Sequence, residues 1–210
     1  MVWCGMELCI RILVKHFSYR HPLFLTSSPT YLVPPITSIY GLFASILEIG
    51  KNDVKENRKL IKKEVQDKIK CIEIFLKERF KGRPFGIMRW NADKSKWRRN
   101  WFTPITQFYL FDLDLIVSIN CDEDLGKELY EKIKNHESGF TPYLGSSENL
   151  IKDISLIDKD ENDFSQYIKI KKLNSVTSLE KGKELIRIKM PSKYDDEGNW
   201  IFEDWVAIRN

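Results

Sequence analysis

Six apolar residues, Tyr109, Phe111, Leu113, Leu115, Val117 and Ile119, alternate with a polar series that includes Asp112, Asp114, Ser118 and Asn120. A period of two marks a β-strand with one face toward a core and the other toward water. The chain must therefore build a sheet whose apolar face needs a cover. Leu8, Ile10, Ile12 and Val14, alternating with Cys9, Arg11, Leu13 and Lys15, predict the first strand of that sheet. Ile72, Ile74 and Leu76, alternating with Cys71, Glu73, Phe75 and Lys77, predict the second.

The cover is predicted to be helical. After a loop holding Pro22, Pro29, Pro34 and Pro35, residues Ile39, Leu42, Phe43, Ile46 and Leu47 recur at helical spacing up to Gly50, and Pro35 fits the first turn of that helix. Asp122 is placed to cap a second helix carrying Leu125, Leu129 and Ile133 on one side. Phe140 to Leu144 read as a fourth strand. The Lys-rich stretch Asn52 to Asp67 fits a solvated helix or a loop equally well.

Strand, helix, strand, strand, helix, strand is the order of the ferredoxin-like split βαβ, an α+β fold that many RNA-binding modules share. The fold by itself carries no function. We place this domain at residues 6–150, with Met6 as an alternative start to Met1. Residues 151–210 are expected to form a smaller β-rich C-terminal part of three or four short strands. In it, Asp195-Asp196-Glu197-Gly198-Asn199 makes a turn before Trp200, Ile201 and Phe202.

At 210 residues, 42% hydrophobic and 30% charged, the chain is expected to fold around its own core. Glu7, Arg11 and Lys15 interrupt the N-terminal apolar stretch, and no basic leader precedes it. The expectation is a cytoplasmic protein without a membrane partner. Cys4, Cys9, Cys71 and Cys121 are too scattered for a disulfide framework and read as small buried or half-buried apolar residues. His16, His21 and His136 do not complete a zinc set with them, so no metal and no cofactor is expected. Charge is strongly uneven: residues 51–101 hold 17 Lys and Arg against 7 Asp and Glu, whereas residues 111–163 hold 5 against 14. The first region suits phosphate and the second does not.

The link between the second and third strands, about residues 79–104, far exceeds the few residues a hairpin needs. Arg79, Lys81, Arg83, Arg89, Lys94, Lys96, Arg98 and Arg99 are interleaved there with Phe80, Phe85, Trp90, Trp97, Trp101 and Phe102. Cations that neutralise phosphate beside rings that stack on unpaired bases suit single-stranded nucleic acid, at roughly 1–3 kcal/mol per stacked base. A solvated loop whose aromatics pack on the body is the plainer alternative. Residues Ile105 to Asp112 lack the aromatic pattern of sheet-surface RNA readers, so recognition is expected off the sheet. Pro34, Pro35, Thr37, Ser38, Tyr40 and Gly41 enter a helix, where N–H groups and hydroxyls can hold a phosphate or simply cap the helix.

Catalytic candidates are fewer. His16 and His21 can act as acid and base in RNA cleavage, although a strand-edge and a loop histidine are the simpler reading. Asp112 and Asp114 can bind a metal, or serve as a half-exposed polar face. No phosphate-cradling Gly-rich loop and no nucleophile with its base stand out.

The run Tyr31-Leu32-Val33-Pro34-Pro35-Ile36-Thr37-Ser38-Ile39-Tyr40-Gly41-Leu42 resembles the TYPFPPPST-x-x-GL signature of the CRISPR-associated Cas-five family. Tyr143-Leu144-Gly145-Ser146-Ser147-Glu148 resembles that family's later LG-x-SE element. The resemblance implies a RAMP-superfamily subunit of a type I Cascade complex, closer to type I-A or I-B, that holds the 5′ handle of the CRISPR guide RNA (crRNA) beside the backbone and large subunits. The long insertion is similar to the family's thumb. One branch, in type I-C systems, cleaves precursor crRNA with a tyrosine, a lysine and a histidine. The tyrosine position falls near Leu47, and Gln107, Phe108 and Tyr109 supply neither partner.

The expected function is thus non-catalytic crRNA binding in antiviral defence, with metal-independent endoribonuclease action on precursor crRNA as the alternative. A purely structural assembly subunit is a third reading, and no small-molecule substrate is expected. Candidate RNA contacts are Tyr31, Thr37, Ser38, Tyr40, Gly145 and Ser146 in the two motifs. The insertion adds Arg83, Arg89, Trp90, Lys94, Lys96, Trp97, Arg98, Arg99 and Trp101.

Overall fold

The structure, a computed structural model, describes residues 5–19, 27–28, 30–31, 33–77, 81–90, 102–144, 150–159, 164–175 and 184–209, with side chains described except at 27–28, 81–90, 102–107, 175 and 209. The alternating runs become strands β1 (Gly5–Phe17), β3 (Ile69–Lys77) and β5 (Phe102–Asp122). Helices α1 (Ile36–Ile46), α2 (Val54–Glu64) and α3 (Glu123–Lys134) lie between them and after them. A short β2 (Ser27–Ser28), β4 (Lys81–Trp90), β6 (Ile151–Leu156), β7 (Tyr167–Lys172), β8 (Glu184–Tyr194) and β9 (Trp200–Arg209) complete the set.

The nine strands among the described residues join one sheet of order β6-β1-β5-β3-β7-β9-β8, with β2 and β4 both paired to β5 off this path. Neighbours along the path are antiparallel, and β6-β1-β5-β3 realise the α+β, ferredoxin-like arrangement expected from the order of elements. Leu8, Ile10, Ile12 and Val14 of β1 and Leu113, Leu115, Val117 and Ile119 of β5 pack with Ile39, Phe43, Leu125 and Leu129 of the helices in one core. Ile170, Met190, Trp205 and Ala207 of β7, β8 and β9 join the same core. The opposite face carries a small cluster of Cys9, Phe75 and Ile116, against which Ile157, Phe164 and Tyr167 pack.

Several expectations need correction. Phe140 to Leu144 do not form the fourth strand: only Tyr143 bridges, to Leu150, and the strand is β6, just beyond the boundary drawn at residue 150. The cause is a competing set of hydrogen bonds. The Gly139 and Phe140 N–H groups donate to the Ile46 and Ser45 carbonyls, which α1 leaves unpaired at its end. A Cβ on Gly139 would collide with the Glu48 side chain, so this close approach requires glycine.

Helix α1 ends at Ile46 rather than at Gly50. Glu48 takes a left-handed φ of 61°, and the Ile49 N–H donates to the Ala44 carbonyl at 2.8 Å, a Schellman-type stop without glycine. Pro35 is the N-cap residue, one position outside the first turn. Asp122 occupies the N-cap position of α3, but its side chain makes no capping bond. The Lys-rich stretch resolves into helix α2, whose Asp53 side chain accepts from the Glu56 N–H at 2.9 Å.

In β5 the alternation breaks at Asp112, whose φ is 54°. Leu113 faces the core, but on the other side of Asp112 it is Leu110 that is buried, while Tyr109 and Phe111 are half-buried. Phe17, paired with Leu110, follows the same flip in β1. The turn at Asp195–Asn199 forms as expected: Asp195 Oδ1 accepts from the N–H groups of Glu197 and Asn199, and Gly198 has a φ of 79°.

Candidate nucleic-acid interface

Within the insertion, β4 pairs antiparallel with the start of β5, and the two strands are the legs of an arm. Strand β5 is 21 residues long; its C-terminal half is the central strand between β1 and β3, and its N-terminal half runs on to pair with β4. Arg83 stands opposite Tyr109, Arg89 opposite Thr103 and Trp90 opposite Phe102. Ten residues of extended strand reach about 30 Å, and β2 adds a short parallel pairing at Thr106 and Gln107. Lys94, Lys96, Trp97, Arg98, Arg99 and Trp101 lie outside the described residues, as do Gly145 and Ser146.

Beside α1 lies a cleft of about 510 Å³. Its floor is the α1 face bearing Ser38, Gly41 and Ser45, and its walls come from the start of α2, the loop after α3 and the start of β9. A Cβ on Gly41 would meet nothing within 4 Å, so the helix backbone is bare there. The Arg58 guanidinium lies 4.4 Å from the Trp200 ring centroid, within cation–π range. Asn57 accepts from the Lys51 N–H at 3.0 Å and fixes the link between α1 and α2.

The motif residues divide here. Ser38 faces the cleft and is half-buried. Thr37 is 2% exposed and its hydroxyl donates to the Pro191 carbonyl at 3.5 Å, so it ties α1 to β8. Tyr31 and Tyr40 are 7% and 4% exposed and belong to the core. Burial pushes the Tyr31 hydroxyl up to about 12, and that of Tyr40 upward as well. Both tyrosines shape the helix entry from beneath. Sequence reading missed Lys51, Arg58, Phe140, Tyr143 and Trp200 as cleft residues, because they come from segments far apart in the chain.

The other candidates have structural surroundings. Asp114 is buried and accepts from Arg11 Nε at 3.0 Å and Arg11 Nη2 at 2.7 Å, with Lys77 and the Tyr167 hydroxyl at 3.5 Å. Burial pushes its carboxyl up, but the Arg11 bonds outweigh burial and hold it below the usual range. The His16 and Tyr109 rings meet in a T-shaped arrangement with centroids 6.3 Å apart, and His21 lies outside the described residues. Among the described residues, no group of three His, Cys, Asp or Glu is placed to hold a metal ion. No described helix is long and apolar enough to cross a membrane. Cys9 and Cys121 are buried as expected, whereas Cys71 is exposed on β3, in the stretch Ile69–Ile72 that β7 does not pair with. Cys4 lies outside the described residues.

No protein-family profile and no characterised protein matches the sequence. Solved structures do match in fold. A chain of a CRISPR RNA-guided surveillance complex superposes with a TM-score of 0.63 at 11% identity, covering 97% of this chain and 88% of that one. A Cas protein crystal structure superposes with a TM-score of 0.55 at 13% identity, covering 97% and 94%. At such identities the likeness is one of fold, and it extends over nearly the whole length of both chains.

Proposed function

We propose that the chain is a non-catalytic, RNA-binding subunit of a CRISPR surveillance complex, which uses the β4–β5 arm to grip the 5′ handle of the crRNA. The arm is the observation that carries this reading. It extends a central strand past the core at the segment where the sequence concentrates cations and aromatics, the pairing of chemistries that holds unpaired RNA. The fold shared with a chain of an RNA-guided surveillance complex supports it. The finer assignment, a Cas-five subunit of a type I Cascade of subtype I-A or I-B beside backbone and large subunits, rests on the Tyr31–Leu42 and Tyr143–Glu148 motifs. The non-catalytic reading rests on residue identity: Leu47 is a buried leucine, and positions 107–109 are Gln, Phe and Tyr.

The test is retention of RNA. The tagged chain, isolated with its partner subunits, is expected to bring down crRNA. Replacing Trp97, Arg98 and Arg99 together by Ala is expected to lower that retention at least tenfold. Unchanged retention and assembly would remove the arm from the interface. Release of product from a labelled repeat hairpin would overturn the non-catalytic reading.

A further inference from the structure

The cleft beside α1 has a lining that differs from that of two other cavities among the described residues. One of those, about 470 Å³, mixes Asp67, Glu73 and Glu203 with four lysines, and the other, about 440 Å³, sets Glu48, Glu64, Asp124 and Glu128 against Lys68, so carboxylates offset the cations in both. No described residue lining the α1 cleft is acidic, and Lys51 and Arg58 line it. Two neighbouring cations of α2 are already paired, Lys59 with Glu56 and Lys62 with Asp67 and Asp196. Arg58 instead lies over the Trp200 ring and lines the cleft, with no carboxylate paired to it among the described residues.

The aromatic lining points the same way. Phe140 is 51% exposed and Tyr143 44% exposed, so two large rings stand in water at the rim of a concave surface. Exposed rings in a cationic concavity match the way unpaired bases are held, by stacking on the ring faces while cations meet the backbone. Gly41, with open space where a Cβ would stand, leaves room at the floor for a flat ring. A cleft of about 510 Å³ is the size that takes one small ligand, and therefore one nucleotide rather than a run of them.

We propose that this cleft is a nucleotide site that takes a single unpaired base of the bound RNA. The base stacks on the rings of Phe140 and Tyr143, and Lys51 and Arg58 meet its phosphate. The proposal rests on the RNA-binding reading above and adds to it a second point of attachment, remote in sequence from the arm.

The experiment uses the full-length chain isolated with the RNA it retains. That RNA carries 5-bromouridine for photocrosslinking, and crosslinked peptides are mapped by mass spectrometry. Crosslinks at Phe140, Tyr143 or Trp200 are expected, in addition to those at the arm. The paired substitution Phe140→Ala and Tyr143→Ala is expected to weaken RNA binding about tenfold or more. Lys51→Gln is expected to lower the slope of log affinity against log salt by about 0.7. Thermal melting of each variant checks that folding is intact; a variant that melts early is replaced by Tyr143→Ser alone. Crosslinks confined to the arm, with affinity unchanged in the paired variant, would overturn the cleft site and leave the RNA-binding reading standing. Absence of any retained RNA would overturn both. An acidic peptide of a partner protein bound in the cleft in place of RNA would overturn the nucleotide assignment.

Discussion

Arg11 and Asp114 join β1 to β5 through two parallel hydrogen bonds of 3.0 and 2.7 Å, on the face of the sheet turned away from the helices. Asp114 is buried while Arg11 remains partly exposed, so removing the arginine leaves a carboxylate with Lys77 at 3.5 Å as its nearest cation. Asp114→Asn is expected to cost about 1.5–3 kcal/mol, the scale of a charge-assisted hydrogen bond. Because the folded carboxyl is held below its usual range, its contribution is complete at pH values above that range. It is lost as pH falls through the lowered value. Denaturant titrations at pH 7, 5 and 3 check this: the wild type should lose more stability on acidification than Asp114→Asn, and equal losses would contradict the pairing.

Two glycines should respond in opposite directions to the same substitution. Gly198 sits at a φ of 79°, and a Cβ there would lie 2.8 Å from the Lys55 carbonyl, so Gly198→Ala is expected to cost about 1–3 kcal/mol. Gly41 lies inside α1 with open space around it, so Gly41→Ala should stabilise the chain by about 1 kcal/mol. The new methyl would stand in the cleft, so the same variant should bind RNA less tightly. Melting curves and RNA retention, measured together, separate the two effects.

The flip at Asp112 can be tested with adjacent residues. Leu110→Ala removes a core side chain and is expected to cost about 2–5 kcal/mol, whereas half-buried Phe111→Ala should cost clearly less. Uninterrupted alternation would give the reverse order. Chemical denaturation of the two variants distinguishes the cases.

The cysteines offer a chemical readout of burial. Burial pushes the Cys121 thiol up to about 11 and raises that of Cys9, so neither forms appreciable thiolate at pH 8. In a Cys4→Ser background, a thiol reagent is expected to modify exposed Cys71 within minutes, and Cys9 and Cys121 only on unfolding. Peptide mass spectrometry assigns the sites, and rapid labelling of Cys121 in the folded chain would contradict its placement under the Met6 carbonyl.

Strand periodicity was legible wherever pairing was regular. The phases of β1 and of β5 from Leu113 onward follow from alternation alone, because each residue's neighbours are set by a two-residue repeat. Alternation fails at Asp112, since a left-handed residue has no marker in an otherwise apolar-polar pattern. The fourth strand was misplaced for a different reason. Phe140 to Leu144 look apolar enough to pair, yet the end of α1 claims the N–H groups of Gly139 and Phe140 where the run begins, and that claim depends on a contact between segments about ninety residues apart. The cleft was invisible for the same reason: Lys51, Arg58, Tyr143 and Trp200 converge only once β9 is laid against β7 and β8. Of the two RNA-binding features, the arm could be read as a dense local run of residues, whereas the cleft had no local signature.

Strand β5 also fixes the mechanics of the grip. Its two halves are one uninterrupted strand, clamped on both sides by β1 and β3 and emerging as one leg of the arm. An arm mounted in this way is a cantilever rooted in the middle of the sheet, with Asp112 at the root setting the direction in which it leaves. A load applied along the arm is carried through Asp112 into the central strand and shared across its neighbours. The arm and the core should therefore resist displacement as one body. A guide pulled away from the arm would be working against the stiffness of the whole sheet.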